Sequence, residues 1–252
     1  MFRKTLFLIF SINVLFCIQV TAQTVEELIE KNIEARGGYE KIKAIKTIKM
    51  TGNSMFQGME APFTIFAKRP NNLRMEVTIQ SQNMVQAYDG ETAWMIFPFM
   101  GSTEPQKMPE DQADAFIEQA DIDGHLVDYK EKGHTVELIG KEDMEGTDVY
   151  KLKLTLKNGN VNYIYLDAEY FIELKQKAKR KRQGSEFEVE TFFGDYKPIN
   201  GLMIPHSLES KVGGQTVSQI TVEKVEMDVN IDDSIFKMPP KSQEEKTSKQ
   251  NH

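Results

Sequence analysis

Leu73-Arg74-Met75-Glu76-Val77-Thr78-Ile79-Gln80 alternates apolar and polar side chains at every step. A period of two is the pattern of a strand with one dry face and one wet face. The same period runs outward from it. Upstream, Met59, Ala61, Phe63, Ile65 and Ala67 share one face, and Ile48, Met50 and Gly52 alternate with Thr47, Lys49 and Thr51. Downstream, residues 84–88 and 92–97 form two further runs joined by Asp89-Gly90, a tight-hairpin signal. Together they predict a meander of five strands with one apolar face.

A second meander is expected from His134 onward. Tyr150, Leu152, Leu154 and Leu156 alternate with Lys151, Lys153 and Thr155, and Asn158-Gly159 makes the next hairpin. Strands near 160–167, 170–179, 185–196, 202–212 and 215–228 follow, with turns marked by Asp195, Asn200-Gly201 and Gly213-Gly214. Helical spacing occurs in two places. Thr24 and Glu27 form a capping box before Val25, Leu28, Ile29 and Ile33, and Gly37-Gly38 ends that helix. A short helical turn around 39–44 can follow it. After the break at Pro98, Pro109 stands at an expected first helical position, and Ala113, Phe116, Ile117 and Ala120 recur at helical spacing. The predicted class is α+β: a strongly curved antiparallel sheet, an open half-barrel of about ten to eleven strands, covered by two or three α-helices.

The ends point to export. Arg3 and Lys4 precede an uncharged stretch from Leu6 to Val20, and Val20-Thr21-Ala22 supplies a cleavage site, so 1–22 reads as a signal peptide. The expected organisation is this leader, one domain over 23–240, and a disordered polar tail over 241–252. No later segment approaches 18 consecutive apolar residues. A lipid-modified Cys17 is the competing reading, but Phe16 stands where that processing wants a small residue. Cys17, the only cysteine, is expected to leave with the leader, which excludes disulfides and thiol chemistry. Beyond residue 22 lie all 38 acids but only 29 of the 31 basic residues, a net charge of −9. That balance excludes a nucleic-acid partner.

No catalytic constellation is legible, so the chain is not expected to be an enzyme. His125, His134, His206 and His252 form no helical ligand pair, and none lies near a nucleophile-elbow serine. Asp121-Ile122-Asp123-Gly124 has the start of a calcium loop, but Lys132 stands where the closing Glu belongs, and a surface turn is expected instead. No cofactor and no metal are expected. Of twelve methionines beyond Met1, eight fall between Met50 and Met108, which suits a plastic apolar cavity more than ordinary filling of a core. Lys175, Lys177, Lys179, Arg180, Lys181 and Arg182 form a basic run, read as a solvated hairpin tip in preference to a headgroup-docking surface.

Lys68-Arg69-Pro70-Asn71 resembles the strand-turn motif of LolA-type lipoprotein carriers, the outer-membrane lipoprotein-sorting family. Asp89-Gly90-Glu91-Thr92-Ala93-Trp94, followed by Phe97-Pro98-Phe99, is similar to their Asp-Gly turn before a Trp strand and an aromatic-Pro step. Asp233-Ser234-Ile235-Phe236-Lys237-Met238-Pro239 resembles their closing segment. The resemblance implies a half-barrel closed by a helical lid, an apolar interior for acyl chains, and Arg69 as the lid-controlling arginine. The longer second half, the methionines and the double-Gly helix end depart from that pattern and bear on the cargo more than on the fold.

The function expected is a periplasmic carrier that moves lipid or lipoprotein acyl chains across the envelope. The alternative is an envelope sensor or interaction module of the same fold, binding lipid or misfolded proteins and signalling to a partner. Expected lipid-binding residues are Ile48, Met50, Met59, Phe63, Ile65, Leu73, Met75, Val77, Ile79, Trp94, Ile96, Phe116, Ile117, Leu152 and Leu154, with Arg69 at the lid. Expected partners are the acyl chains themselves, with a membrane-bound donor or acceptor protein as a further one, and the chain is expected to act as a monomer.

Overall fold

The computed structural model describes residues 23–56, 58–98, 102–182 and 185–240. The expected leader and tail, and Phe99 of the aromatic-Pro step, lie outside them. The chain opens with α1 (Val25–Ala35) and α2 (Tyr39–Ala44). Six strands follow: β1 (Thr47–Phe56), β2 (Met59–Lys68), β3 (Asn72–Ile79), β4 (Gln82–Tyr88), β5 (Ala93–Phe97) and β6 (Ser102–Lys107). Helix α3 (Glu110–Ile117) and a 3₁₀ turn (Glu118–Ala120) separate them from the rest. These are β7 (Thr135–Met144), β8 (Thr147–Thr155), β9 (Val161–Asp167), β10 (Glu173–Arg182), β11 (Ser185–Ile199), β12 (Leu202–Val212) and β13 (Gln215–Met227).

All thirteen strands belong to one antiparallel sheet, ordered β6-β5-β4-β3-β2-β1-β13-β12-β11-β10-β9-β8-β7. Two meanders meet where β1 pairs with β13, and β6 and β7 form the two outer edges. The chain therefore passes from one edge of the sheet to the other between Lys107 and Thr135, and α3 lies on that passage.

Three expectations change. The sheet has thirteen strands where ten or eleven were expected. Ser102-Thr103-Glu104-Pro105-Gln106-Lys107 shows no apolar alternation and holds a proline, yet it pairs with β5 as an edge. An edge strand bonds on one side only, so a missing N–H is tolerated there. Asp195 does not turn the chain: β11 runs on to Ile199, with a positive φ of 49° at Asp195 as a local kink. Pro109 caps α3 from outside, at φ −56° and ψ 143°, one residue earlier than expected.

Cross-strand register aligns the dry faces. Ile48, Ala67, Leu73, Tyr88 and Ala93 are successive partners across β1 to β5, and Met50, Ile65 and Met75 form the next row. These residues pack with Ile42 and Ile45 of the α2 region, with Phe116 and Ala120, and with Leu202, Ile204, Val225 and Met227 from the other half of the sheet. One cluster thus joins strands far apart in the sheet order, which requires the sheet to curl around it. A second cluster joins α1, through Leu28 and Ile29, to Leu152, Leu154, Ile164 and Leu166.

Gly37 fixes the end of α1 against β12. A Cβ there would lie 2.3 Å from the Gly201 carbonyl oxygen, and its φ is +120°, so only glycine fits. On the convex side, residues 228–238 strap the first meander. Trp94 Nε1 donates to the Phe236 carbonyl at 2.7 Å, and Arg74 donates to that of Ile235 at 2.6 Å. Among the described residues no helix is long and apolar enough to cross a membrane.

Candidate functional site

The passage from edge to edge makes the site. Met108 is buried and its N–H bonds to the Ala93 carbonyl at 2.9 Å, which fixes the start. Helix α3 is only eight residues long, carries Glu110 and Asp111 in its first turn, and has no basic residue in its last. A helix this short is marginal alone. Packing holds it: Phe116 is buried in the concave cluster, with Ala113 and Ile117 against it.

Beyond the 3₁₀ turn, Asp123 is a hub, with its side chain 5% exposed. Arg69 donates to both its carboxylate oxygens, from Nη1 at 3.1 Å and from Nη2. Arg69 also donates to the carbonyls of Ile45 and, at 2.9 Å, of Ile42. The motif arginine thus ties α2 to the passage, and its acid lies three residues past the segment 109–120. Lys43 reaches Asp123 at 3.0 Å and Asp128 at 2.9 Å. Arg36 donates to the Asp123 carbonyl at 2.9 Å. Burial alone would raise the Asp123 pKa, but hydrogen bonds from Arg69 and Lys43 hold it below the usual carboxylate range. The bonds to Asp128 and Asp123 raise that of Lys43.

The Asp121–Asp123 motif is therefore not a surface turn. Asp121 is taken by Lys132 at 2.6 Å, and Asp123 by Arg69 and Lys43. Among the described residues no group of three or more His, Cys, Asp or Glu side chains could hold a metal. His125 and His134 sit edge to face, 6.1 Å apart, and burial lowers the pKa of both. His206 is buried in β12, and His252 lies outside the described residues.

The other end of the 3₁₀ region is held separately. Glu118, its side chain 7% exposed, pairs with Arg180 of β10 at 2.9 Å and accepts from Asn160 Nδ2 at 2.8 Å. The basic run is the length of β10 leading into its hairpin with β11, and not a solvated tip alone. Lys175 and Lys177 pair with Glu190 and Glu188, each at 2.6 Å, and Lys175 lies between the rings of Tyr165 and Phe192 at 5.0 and 5.1 Å. Arg180 faces the opposite way, toward Glu118 at the end of α3. The side chains of Lys181 and Arg182 lie outside the described part.

Deeper, burial pushes the Glu173 carboxyl up to about 7, against the charge of Arg36. The Glu173 side chain is nevertheless not closed off. Tyr196 donates to its carbonyl at 2.6 Å, and burial raises the Tyr196 pKa too.

Of the expected lining residues, Ile48, Met50, Ile65, Leu73, Met75, Phe116 and Ile117 meet in the concave cluster. Met95, Met108 and Met227 join them there. Leu152 and Leu154 lie under α1 in the second cluster. Phe63 and Val77 share the concave face by register, farther along the strands, and Ile79 follows two residues on; Met59 is 40% exposed at the hairpin end. Trp94 and Ile96 do not line this face. They pair with Ala87 and Val85 on the convex side, where Met238 covers them. Every residue of Ala93-Trp94-Met95-Ile96-Phe97 is apolar, so alternation could not assign the faces. Asp123, Lys43, Glu118 and Arg180 were missed as site residues. The Asp-x-Asp-Gly signal marked one of them, and strand parity within the basic run could have separated Arg180.

A family model described only as "Uncharacterized protein" matches residues 61–239. Among curated proteins none matches the chain. Solved structures do. A DUF1329 family protein from Desulfovibrio piger superposes with a TM-score of 0.58 at 12% identity, over 84% of this chain and 97% of that one. A LolA superfamily protein from Nitrosomonas europaea gives 0.57 at 16%, over 86% and 98%. An outer membrane lipoprotein-sorting protein domain from Vibrio parahaemolyticus gives 0.53 at 12%, over 82% and 97%. At these identities the likeness establishes the fold.

Proposed function

The chain belongs to the family whose model matches residues 61–239 and has a LolA-like fold, and from that premise we propose that it is a periplasmic carrier of lipid or lipoprotein acyl chains. The observation that carries this reading is the concave face beyond the reach of α3. Phe63, Val77 and Met84 form one register row there, and Ala61, Ile220, Leu208 and Phe193 lie along another. Val77, Met84, Ile220, Leu208 and Phe193 keep partial exposure although they face the inside of the curl. An apolar surface left open inside a concavity, beside a segment that crosses from edge to edge, suits a chain that must leave water.

The driving force is adequate. Each methylene removed from water is worth about 0.8 kcal/mol, so a chain of some fifteen contributes roughly 12 kcal/mol as an upper value. Arg69 acts on this reading as the lid residue, binding the passage to α2. No chemical step is required and no cofactor takes part.

Mass spectrometry of an organic extract from the purified protein tests the proposal. Acyl-chain lipids recovered in stoichiometric amount support it. Protein that carries none and takes up none from vesicles, while holding a stable protein partner, would replace it with the sensor reading.

A further inference from the structure

Helix α3 and its end imitate an amphiphile. Ala113, Phe116 and Ile117 enter the apolar concave cluster, and at the next residue the Glu118 carboxylate enters a polar spot beside it. That spot is built from Arg180, Asn160 and Asn162. Arg180 donates to one Glu118 oxygen at 2.9 Å and Asn160 to the other at 2.8 Å. Asn162 stands opposite Leu154 and Ala178 in register and is completely buried. Its Oδ1 accepts from Arg180 at 3.4 Å, while its Nδ2 has no partner among the described residues. A buried amide donor without an acceptor is costly, and such a group marks a position where an acceptor belongs.

Glu118 holds this place against an unfavourable local field. It caps the C-terminal end of α3, where the helix dipole disfavours negative charge. The remaining charged side chains of α3, Glu110, Asp111 and Asp114, are acidic as well. Another anion of the right shape can take over Arg180 and Asn160 without disturbing the Asp123 hub.

Resting on the carrier reading above, we propose that Arg180, Asn160 and Asn162 form the headgroup site for an amphiphile with an anionic oxygen head. Glu118 is the internal stand-in that this head displaces. As the head takes the Glu118 position, the acyl chain takes the place of the Phe116 face. The orphan Asn162 amide then gains its acceptor, so loading and lid release are one exchange of ion-pair partners. Carboxylate and phosphate heads share the chemistry that Arg180 reads, since both accept forked donation.

The test compares laurate, dodecyl phosphate and dodecanol, each titrated into the full soluble protein by calorimetry at about pH 8, where the carboxylic acid is ionised. The expected result is that at least one anion binds about tenfold tighter than the alcohol. Laurate tighter than dodecyl phosphate assigns a carboxylate head, and the reverse a phosphate head. Arg180→Met should remove that preference and leave dodecanol binding in place. Glu118→Gln should act in the opposite sense, strengthening anion binding about fivefold because the stand-in has lost its charge. Circular dichroism checks that both variants fold, and the wild-type comparison decides even if one does not. Equal binding of anions and alcohol by the wild type overturns the headgroup site and leaves the carrier reading standing. Binding of none of the three overturns both.

Discussion

Arg69 and Arg180 hold the two ends of one short segment, and they hold them differently. Arg69 divides its donors between two backbone carbonyls and a buried carboxylate, and Lys43 and Arg36 secure the same loop. Arg180 meets a single carboxylate of that segment, Glu118, at the unfavourable end of a short helix. Both arginines grip the passage by a carboxylate, but Asp123 is shared with Lys43, and Arg36 and Lys132 also hold the carbonyls of Asp123 and Gly124. Among the described residues Glu118 has no such reinforcement from backbone carbonyls of its own segment. On the proposed lid reading, 121–128 is the end that stays in place and the helix at 110–117 the end that swings.

The largest effect that would sharpen this comparison is expected at the hub. Asp123→Ala leaves Arg69 without its acid and Lys43 with Asp128 alone, and should cost about 3–5 kcal/mol of stability. Denaturant melts measure it; a loss below 1 kcal/mol would show the hub to be incidental. Arg69→Leu removes one partner and spares the Lys43 pair, so about 1.5–3 kcal/mol is expected, together with faster hydrogen exchange across 121–128.

Protonation separates the hub from the deeper acid. Asp123 has a depressed pKa, so its contribution is present above the ordinary carboxylate range and is lost only in strong acid, as pH falls through the depressed value. Glu173 runs the other way. Its folded value of about 7 lies above its ordinary 4.5, so stability is full below 4.5 and declines as pH rises toward 7. Glu173→Gln should abolish that decline and gain about 1–2 kcal/mol at alkaline pH relative to wild type. Melts at several pH values check it, and a variant with the wild-type slope would place the titration elsewhere.

The smallest stability change is expected at the swinging end. Arg180→Leu should cost about 1 kcal/mol, because the freed Glu118 can turn to water with its helix. Hydrogen exchange should accelerate over 110–118 and leave 121–128 protected. Equal acceleration of both stretches would break the comparison and make the lid one rigid unit.

Much of this was legible in the chain. The capping box at Thr24 and Glu27 is formed as read, and Asp89-Gly90 and Asn200-Gly201 lie between the strands they were expected to join. Local chemistry sets these features: a cap needs only its own turn, the Asn200-Gly201 hairpin only two residues of positive φ, and the four-residue loop 89–92 a glycine of positive φ at Gly90. Arg69 was marked by its motif, but its pairing with Asp123 was not, since Asp123 lies 54 residues away and enters the site only because the chain crosses between edges. Arg180 was hidden among neighbours of the same charge, which strand parity sends to the other face.

The sequence by itself determined that most strands have two unlike faces, because side chains alternate with a period of two whatever the strand packs against. It did not determine which face becomes the inside. In Ala93-Trp94-Met95-Ile96-Phe97 both faces are apolar and both are covered, one by the cluster that holds Phe116 and one by the strap that ends at Phe236 and Met238. Periodicity labels two sides and carries no sign for curvature. Only the direction in which the sheet curls, fixed by residues more than a hundred positions apart, made Met95 part of the interior and Trp94 part of the outer wall.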